Sequence, residues 1–474
     1  MTTGMNLWDT NVWTFVLILS LLFAAMILAQ ILRNNCRFIR RLMIPSSVLG
    51  GFLLLLVNWL VRLVTGTPLY TTELLETLTY HGLGLGFAAL SLRRNDKNKD
   101  GFSPTGALDS GLTVVNGYLI QGFFGILISV VFFYLINSFF ASGVILPMGY
   151  GQGPGQAYTW GHTYEVTYGF TNGTSFGLTV AAMGFVSASV GGVIYLNWLR
   201  HKGIYKRSMG EDIHDKLTLE TFTGENEIPI SESMDKFTIQ VALVFFAYAL
   251  AYAFMKGVNT LLDPTGQGAT GLAGTIQSMI WGFQFLFSSI FAILIKVVLG
   301  KLKKVGVIKR EYTNNFMQNR ISGFLFDVMV VASIAAIDLS AFRDHHFVLP
   351  LTVMCIVGAV ITFVYLRFVC KRIFPSYEHE AFLSLYGMQT GTATTGVILL
   401  REIDPDFKTQ ASNNLVYHMP WAILFGSPFF LMAGLAPQSV EKAILVMCAC
   451  LGLFIAFNII LFRKQIFKKK KRSK

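Results

Sequence analysis

Apolar runs of about 20 residues or more recur along almost the whole of this 474-residue chain, and such a run matches the ~30 Å hydrocarbon core of a bilayer. They lie near 11–33, 44–65, 74–92, 112–140, 175–200, 237–261, 269–298, 321–341, 346–370, 411–436 and 438–462. Lipid offers no water to backbone groups, so segments that cross it must be helices or closed barrels. Runs of this length predict an all-α polytopic membrane protein. Charged residues make up 14% of the chain, well below the roughly 25% of soluble proteins. Met1 to Thr10 carries no Lys or Arg and the first run is long enough to span, so it reads as a helix rather than a cleaved leader. The cysteines Cys36, Cys355, Cys370, Cys448 and Cys450 lie in or beside apolar runs without metal-site spacing, and read as small core residues.

Two stretches break the pattern. Gly149 to Glu165 lies between two apolar runs yet holds four glycines and a proline in its first seven residues. Inside a bilayer the backbone groups such a stretch leaves unpaired are tolerated only where protein or a water-filled cavity covers them. It reads as a re-entrant hairpin, 142–165, whose tip binds a solute. A second polar and apolar mixture, 380–401, reads the same way.

Charge tests this arrangement. With Arg33 to Arg41 in the cytoplasm and both hairpins returning to the side they enter from, all of the 38 basic residues except Arg62, Lys256, Arg343 and Lys442 fall on the cytoplasmic side. Making the first hairpin a full span inverts every later loop and destroys the bias. The formal charge of +12 therefore reports topology and contact with anionic lipid, not nucleic-acid binding. The N-terminus is expected outside and the basic tail, 463–474, in the cytoplasm. The acidic and basic segment 201–236 reads as a cytoplasmic linker.

The linker separates two halves of opposite sense. Residues 11–200 give five spans and hairpin 142–165, entered from outside. Residues 237–436 give five spans and hairpin 380–401, entered from inside. This is the plan of an inverted-topology repeat, common in secondary transporters, with 438–462 as an additional C-terminal span. Tyr150-Gly151-x-x-x-Gly155-x-Ala157 reappears as Tyr386-Gly387-x-x-x-Gly391-x-Ala393.

Five stretches give the chain a family likeness. Ile44-Pro45-Ser46-Ser47-Val48-Leu49-Gly50-Gly51 resembles the Ile-Pro-Glu-Pro-Val-x-Gly-Gly start of the second helix in the bacterial sodium:glutamate symporters. Gly151-x-Gly153-x-Gly155-x-Ala157 resembles that family's Gly-His-Gly-Thr-Gly-Ala-Ala hairpin, and Tyr168-Gly169-Phe170-Thr171-Asn172-x-Thr174 the segment after it. Gly191-Gly192 stands where the family's fifth helix has a Gly-Gly pair, and Tyr386-Gly387 through Gly396 resembles its second hairpin. The chain departs from the pattern at Gln152, Pro154 and Gln156 (His, Thr and Ala in the family), at Ser46-Ser47, and at Gly426-Ser427-Pro428, where an acidic residue is expected a few positions on. The resemblance implies a homodimer in the bacterial plasma membrane, an elevator-type transporter with a scaffold and a mobile domain carrying the hairpins. It also implies sodium-coupled symport of glutamate or a related acidic amino acid, with Na⁺ as the coupling ion and no further cofactor.

Candidate binding residues follow from the tips. Backbone N–H groups at glycine turns and half-helix N-termini favour anions. Gln152, Gly153, Gly155, Gln156 and Tyr158 on the first hairpin, and Gln389, Thr390, Gly391, Thr392 and Thr394 on the second, are expected to bind substrate. Thr395, Asp327 and Asp338 are the ion-coupling candidates. Both carboxylates are expected on one face of the eighth helix, since eleven residues at about 100° each return to the same side. Alternatives are interfacial pairing, Asp338 with Arg343 and Asp327 with Arg320. His81, before Gly82-x-Gly84-x-Gly86, reads as a satisfied interfacial histidine; that glycine run lacks the strand and the Lys-Ser/Thr of a phosphate loop. His162 and Glu165 lack a third metal ligand, and His418 suggests a kink. No catalytic motif of an enzyme is present. The other readings are a proton-coupled carrier of organic acids and a passive channel with glycine-rich filter loops.

Overall fold

The computed structural model describes residues 7–93, 104–204, 235–264, 273, 276–277, 280–404 and 409–466. Most of the 201–236 linker and the tail beyond 466 lie outside them. The helices are α1 (Thr10–Asn35), α2 (Arg37–Arg41), α3 (Ser46–Thr65), α4 (Glu73–Leu92), α5 (Pro104–Ile136), α6 (Ile145–Tyr150), α7 (Pro154–Tyr168) and α8 (Gly173–His201). There follow α9 (Lys236–Leu262), α10 (Gln284–Lys304), α11 (Asn315–Ala335), α12 (His345–Ile373), α13 (Glu378–Thr390), α14 (Ala393–Arg401), α15 (Gln410–Tyr417), α16 (Met419–Leu435) and α17 (Val440–Leu461). Among the described residues nine helices are long and apolar enough to cross a membrane. The polar residues of α4 and α11 leave those two, although of spanning length, outside the nine.

The chain divides into two compact units. The first comprises Met1–Leu75, Asp100–Arg207 and Val331–Lys474, and holds both stretches read as hairpins. Its long helix α5 packs against α12, α16 and α17, and α8 packs against α6, α7, α12 and α13. Asn137, at φ 58°, ends α5; asparagine enters this left-handed region more readily than other residues that carry a Cβ. The chain then turns through Ser142–Val144 into α6. A Cβ on Gly143 would fall 2.0 Å from the Gly125 backbone, so the return leg crosses α5 where neither chain has a side chain.

The far end of α7 is closed by Gly169 (φ 71°), and Asn172 (φ 59°) starts α8. Glu165 Oε2 accepts the Thr174 N–H at 2.9 Å, and His162 Nδ1 lies 3.3 Å from the Thr174 hydroxyl. Both side chains thus anchor the start of α8. At the other end of α8, Tyr195 joins a core of Phe382, Tyr386 and Leu399. Asp109, near the start of α5, meets Arg463 after α17 at 2.7 Å.

Two sequence expectations change, at Asp338 and at the repeated motif, and the run 411–436 divides at the histidine that suggests a kink. The eighth helix stops at Ala335, not near 341, because Asp338 leaves the helix and caps the turn Leu339–Arg343. Its carboxylate accepts the Ser340 N–H at 2.9 Å and hydroxyl at 2.6 Å, and lies 4.0 Å from Arg62 rather than pairing with Arg343. Asp327 and Asp338 therefore do not share a helix face. The run 411–436 breaks at His418, where Pro420 opens α16; the imidazole is 5% exposed, with Nδ1 3.0 Å from Asn414 O. The repeated Tyr-Gly motif does not align the two turns. Gly151 follows the end of α6, whereas Gly387 lies inside α13, whose 13 residues outlast the six of α6.

The second unit comprises Glu76–Lys99 and Ser208–Val330. Its glycine run packs helices: a Cβ on Gly84 would lie 2.5 Å from the Tyr248 ring and one on Gly86 2.4 Å from Phe326. His81 Nδ1 is 2.7 Å from the Tyr248 hydroxyl, which donates to Gln284 Oε1, whose Nε2 donates in turn to Tyr80 O. His81 is a satisfied member of this chain. Asp327, half-buried on α11, belongs to this unit.

Candidate functional site

Each hairpin is two helices joined by a turn too short for anything else. In the first, α6 ends at Tyr150 and α7 begins at Pro154, with Gly153 at φ +85°. That backbone conformation suits glycine, and Pro154 at the first helical position has no N–H to leave unpaired. In the second, α13 ends at Thr390 and α14 begins at Ala393 after Gly391 and Thr392. The two turns meet: a Cβ on Gly153 would stand 3.4 Å from Thr392 Cγ2 and 3.8 Å from Gly391 O.

Helix polarity makes this meeting chemically specific. Gly153 and Thr392 are the N-caps of α7 and α14, and neither helix start is capped by its N-cap side chain. The first N–H groups of a helix have no partner within it and carry a partial positive charge. Two such ends converge, and no Lys, Arg, Asp or Glu occurs in Gly149–Tyr164 or Ala381–Leu400. Access differs around the junction. Gly155 and Gln156 are buried, Gln152 and Thr392 are half-buried, and Ala393 and Thr394 are exposed.

The side chains sort by what they already hold. Gln156 is 1% exposed; its Oε1 accepts from Trp160 Nε1 at 3.1 Å while its Nε2 has no partner among the described residues. The Thr390 hydroxyl donates to Tyr386 O at 2.7 Å within its own helix, which leaves only acceptor capacity. The Thr392 and Thr395 hydroxyls are 3.3 Å apart, and Thr395 is fully buried. Tyr158 stacks on His162, a turn away from the tip along α7.

Gln389 points elsewhere, into a polar section of α5 that sequence reasoning overlooked. Its Nε2 donates to Thr113 O at 3.2 Å, and Gln121 Nε2 donates to Gln389 O at 3.0 Å and to the Thr362 hydroxyl at 2.8 Å. Those acceptors fix both amide orientations, so Gln389 Oε1 and Gln121 Oε1 are buried carbonyl oxygens without a donor among the described residues. Gly117 makes the berth, since a Cβ there would fall 1.6 Å from Gln389 Oε1. The signal lay in the sequence: Thr113, Gly117 and Gln121 recur at four-residue steps on one face of an otherwise apolar helix. The Tyr118 hydroxyl donates to Gly151 O at 3.2 Å, which ties the first tip to the same helix.

Helix α8 carries both hairpins. A Cβ on Gly184 would strike Thr390 O at 2.3 Å and Tyr150 Cδ1 at 3.1 Å. On Gly191 it would strike the Tyr386 hydroxyl at 2.4 Å, and on Gly192 the Leu399 side chain at 2.5 Å. Tyr150 and Tyr386, one from each hairpin, both reach Ser187: the first by hydroxyl to hydroxyl at 3.0 Å, the second by donating to the carbonyl at 3.2 Å. Apart from these elements, Asp344, His345 and His346 group their ligand atoms within 4.8 Å at the start of α12, where Asp344 caps the His346 N–H.

Residues 11–265 match the family model described as sodium/glutamate symporter. The match contains the first hairpin and ends before the second. Comparison with curated proteins gives no match. The family is one of sodium-coupled transporters rather than enzymes, and the spanning helices make this a multi-pass membrane protein. With more than half of its length matched, the chain belongs to the sodium/glutamate symporter family.

Proposed function

We propose that the protein is a Na⁺-coupled symporter of glutamate or a closely related acidic amino acid, held between the two hairpin tips. The observation that carries this reading is the close approach of Gly153 to Thr392 and Gly391, which brings two helix N-termini together without any formally charged side chain. A substrate carboxylate is held by N–H groups of Gly155 and Gln156 on α7 and of Ala393 and Thr394 on α14. Gln156 Nε2, a buried donor without a partner, and the side chains of Gln152, Thr392 and Thr394 add specificity. Na⁺ is co-substrate. The Thr392 and Thr395 hydroxyls and the Gly391 carbonyl suit a hard cation, and Asp327 is kept as a second coupling group.

The repeat and elevator readings belong to the same proposal. From α1 to α8 the order is three long helices (with the short α2 between the first two), α5, a hairpin and a long helix. From α9 to α16 the same order returns, with the last helix broken at His418. Both hairpins, α5, α8 and α12 lie in one compact unit, as a mobile domain requires. Cytoplasmic and outer faces follow the charge distribution, and the assembly is the homodimer that the family resemblance implies.

The test is uptake of labelled glutamate by proteoliposomes under imposed Na⁺ or H⁺ gradients, with unlabelled acidic and neutral amino acids as competitors. Accumulation that requires an inward Na⁺ gradient and is blocked by acidic competitors is the expected result. Accumulation driven by the H⁺ gradient alone assigns a proton-coupled carrier instead, and uptake indifferent to both gradients removes the symport reading.

A further inference from the structure

The ends of α8 and α12 and the root of the second hairpin line an open recess of about 600 Å³ in the first unit, a volume within the range of sites that hold small organic ligands. Its wall divides by chemistry. Lys202, Arg367 and Lys371 supply cations, while Val364 (61% exposed) and Phe368 (47% exposed) form an apolar flank along α12. Trp198 stands between, with Lys202 Nζ 4.7 Å from its ring centre and the Arg367 guanidinium at 5.8 Å.

The charges do not cancel within the recess. Glu378 engages Arg367 at 3.1 Å and is the carboxylate among the lining residues. Burial holds the neighbouring His379 below its ordinary pKa, against the raising influence of Glu378, so it adds no cation at neutral pH. Among the described lining residues three cations thus face one carboxylate, and Lys202 and Lys371 are exposed. A soluble anion needs the cations alone. The apolar flank running back along a spanning helix matches a ligand with both a phosphate and acyl chains, and tryptophan beside basic residues is the composition of a membrane interface.

We propose that this recess is a binding site for one anionic phospholipid, whose headgroup phosphate is held by Lys202, Lys371 and Arg367 and whose chains lie along Val364 and Phe368. Because Glu378 and His379 begin α13, the lipid ties the root of the second hairpin to the ends of α8 and α12 and sets how freely that hairpin moves. Only the assignment to the cytoplasmic leaflet rests on the topology proposed above.

The test is native mass spectrometry of the full chain released from nanodiscs of mixed phosphatidylglycerol and phosphatidylcholine. It compares wild type, Lys202→Gln with Lys371→Gln, and a control with Lys301→Gln and Lys304→Gln. One phosphatidylglycerol retained per chain is expected in wild type and control, with retention about thirtyfold weaker in the first variant, the product of two basic side chains near a membrane surface. Equal retention in all three proteins overturns the proposal, as does equal retention of phosphatidylcholine. Displacement of the lipid by inorganic phosphate at low millimolar concentration assigns the recess to a free anion and also overturns it. Thermal unfolding confirms that each variant is folded. Na⁺-driven uptake by the wild type, measured separately, fails only if the symport reading fails.

Discussion

Replacing Gly184 by alanine tests the arrangement of the two hairpins on α8. The new methyl group would sit 2.3 Å from Thr390 O and 3.1 Å from Tyr150 Cδ1. A relaxed carbon–oxygen approach is about 3.3 Å, so the second hairpin must retreat from α8 by about 1 Å. Overpacking of this kind costs about 1–3 kcal/mol, and the upper end applies because the obstructing atom is the backbone of a fully buried residue. Alanine returns ~1 kcal/mol of helix propensity, leaving a net loss of about 2 kcal/mol. Transport suffers more, because Thr390 is the last residue of α13 before the tip, and a displacement of ~1 Å at a site can cost about a hundredfold in rate. Gly452→Ala is the internal control: beyond its own helix no described atom lies within 4 Å of the new Cβ, so it keeps the propensity gain without the clash. The assay is initial uptake per unit of reconstituted protein, with thermal unfolding of both variants. Gly184→Ala is expected to unfold at lower temperature than Gly452→Ala and to transport at a small fraction of its rate. Equal uptake and equal unfolding temperatures would refute the packing argument.

Other outcomes follow from the same geometry. Gly153→Ala places a side chain at φ +85°, a strain of about 1–3 kcal/mol, and should raise the substrate KM while Gly257→Ala, in open space, leaves it unchanged. Thr395→Val should raise the Na⁺ concentration for half-maximal uptake about tenfold. Asp338→Asn should leave that value alone and lower the unfolding temperature slightly, because the carboxylate caps a turn. Asp109→Asn removes the partner of Arg463; as the pair is largely buried, it should cost about 1–3 kcal/mol in thermal stability with Na⁺-dependent uptake retained.

How much was legible in the sequence depends on what each feature rests on. Spans were legible because apolar length is set by bilayer thickness, and α1, α3, α9 and α17 begin and end within a few residues of the runs that announced them. The turns at Gly151–Gly153 and Gly391–Thr392 were legible because glycine and proline cluster there with polar residues between apolar segments. Periodicity puts Asp338 inside the helix because it cannot show where a helix stops; the carboxylate instead caps a turn at the Ser340 N–H, which hydropathy does not register. Gln389 reads as a tip residue from the sequence because its position along the chain adjoins the turn. Its actual direction depends on Gly117, 272 residues earlier, whose missing side chain makes room for it. The shared role of Ser187 under Tyr150 and Tyr386 is likewise a tertiary fact with no local signature.

The most direct test of the central claim is substrate protection at the tip. In a background free of the native cysteines, Thr394→Cys places a thiol at the exposed start of α14, and its rate of modification by a small maleimide is measured in proteoliposomes. Glutamate together with Na⁺ is predicted to slow modification strongly, and Na⁺ or glutamate alone to do so weakly. A modification rate unchanged by saturating glutamate and Na⁺, in a variant that still takes up glutamate, would contradict a substrate site between the hairpin tips.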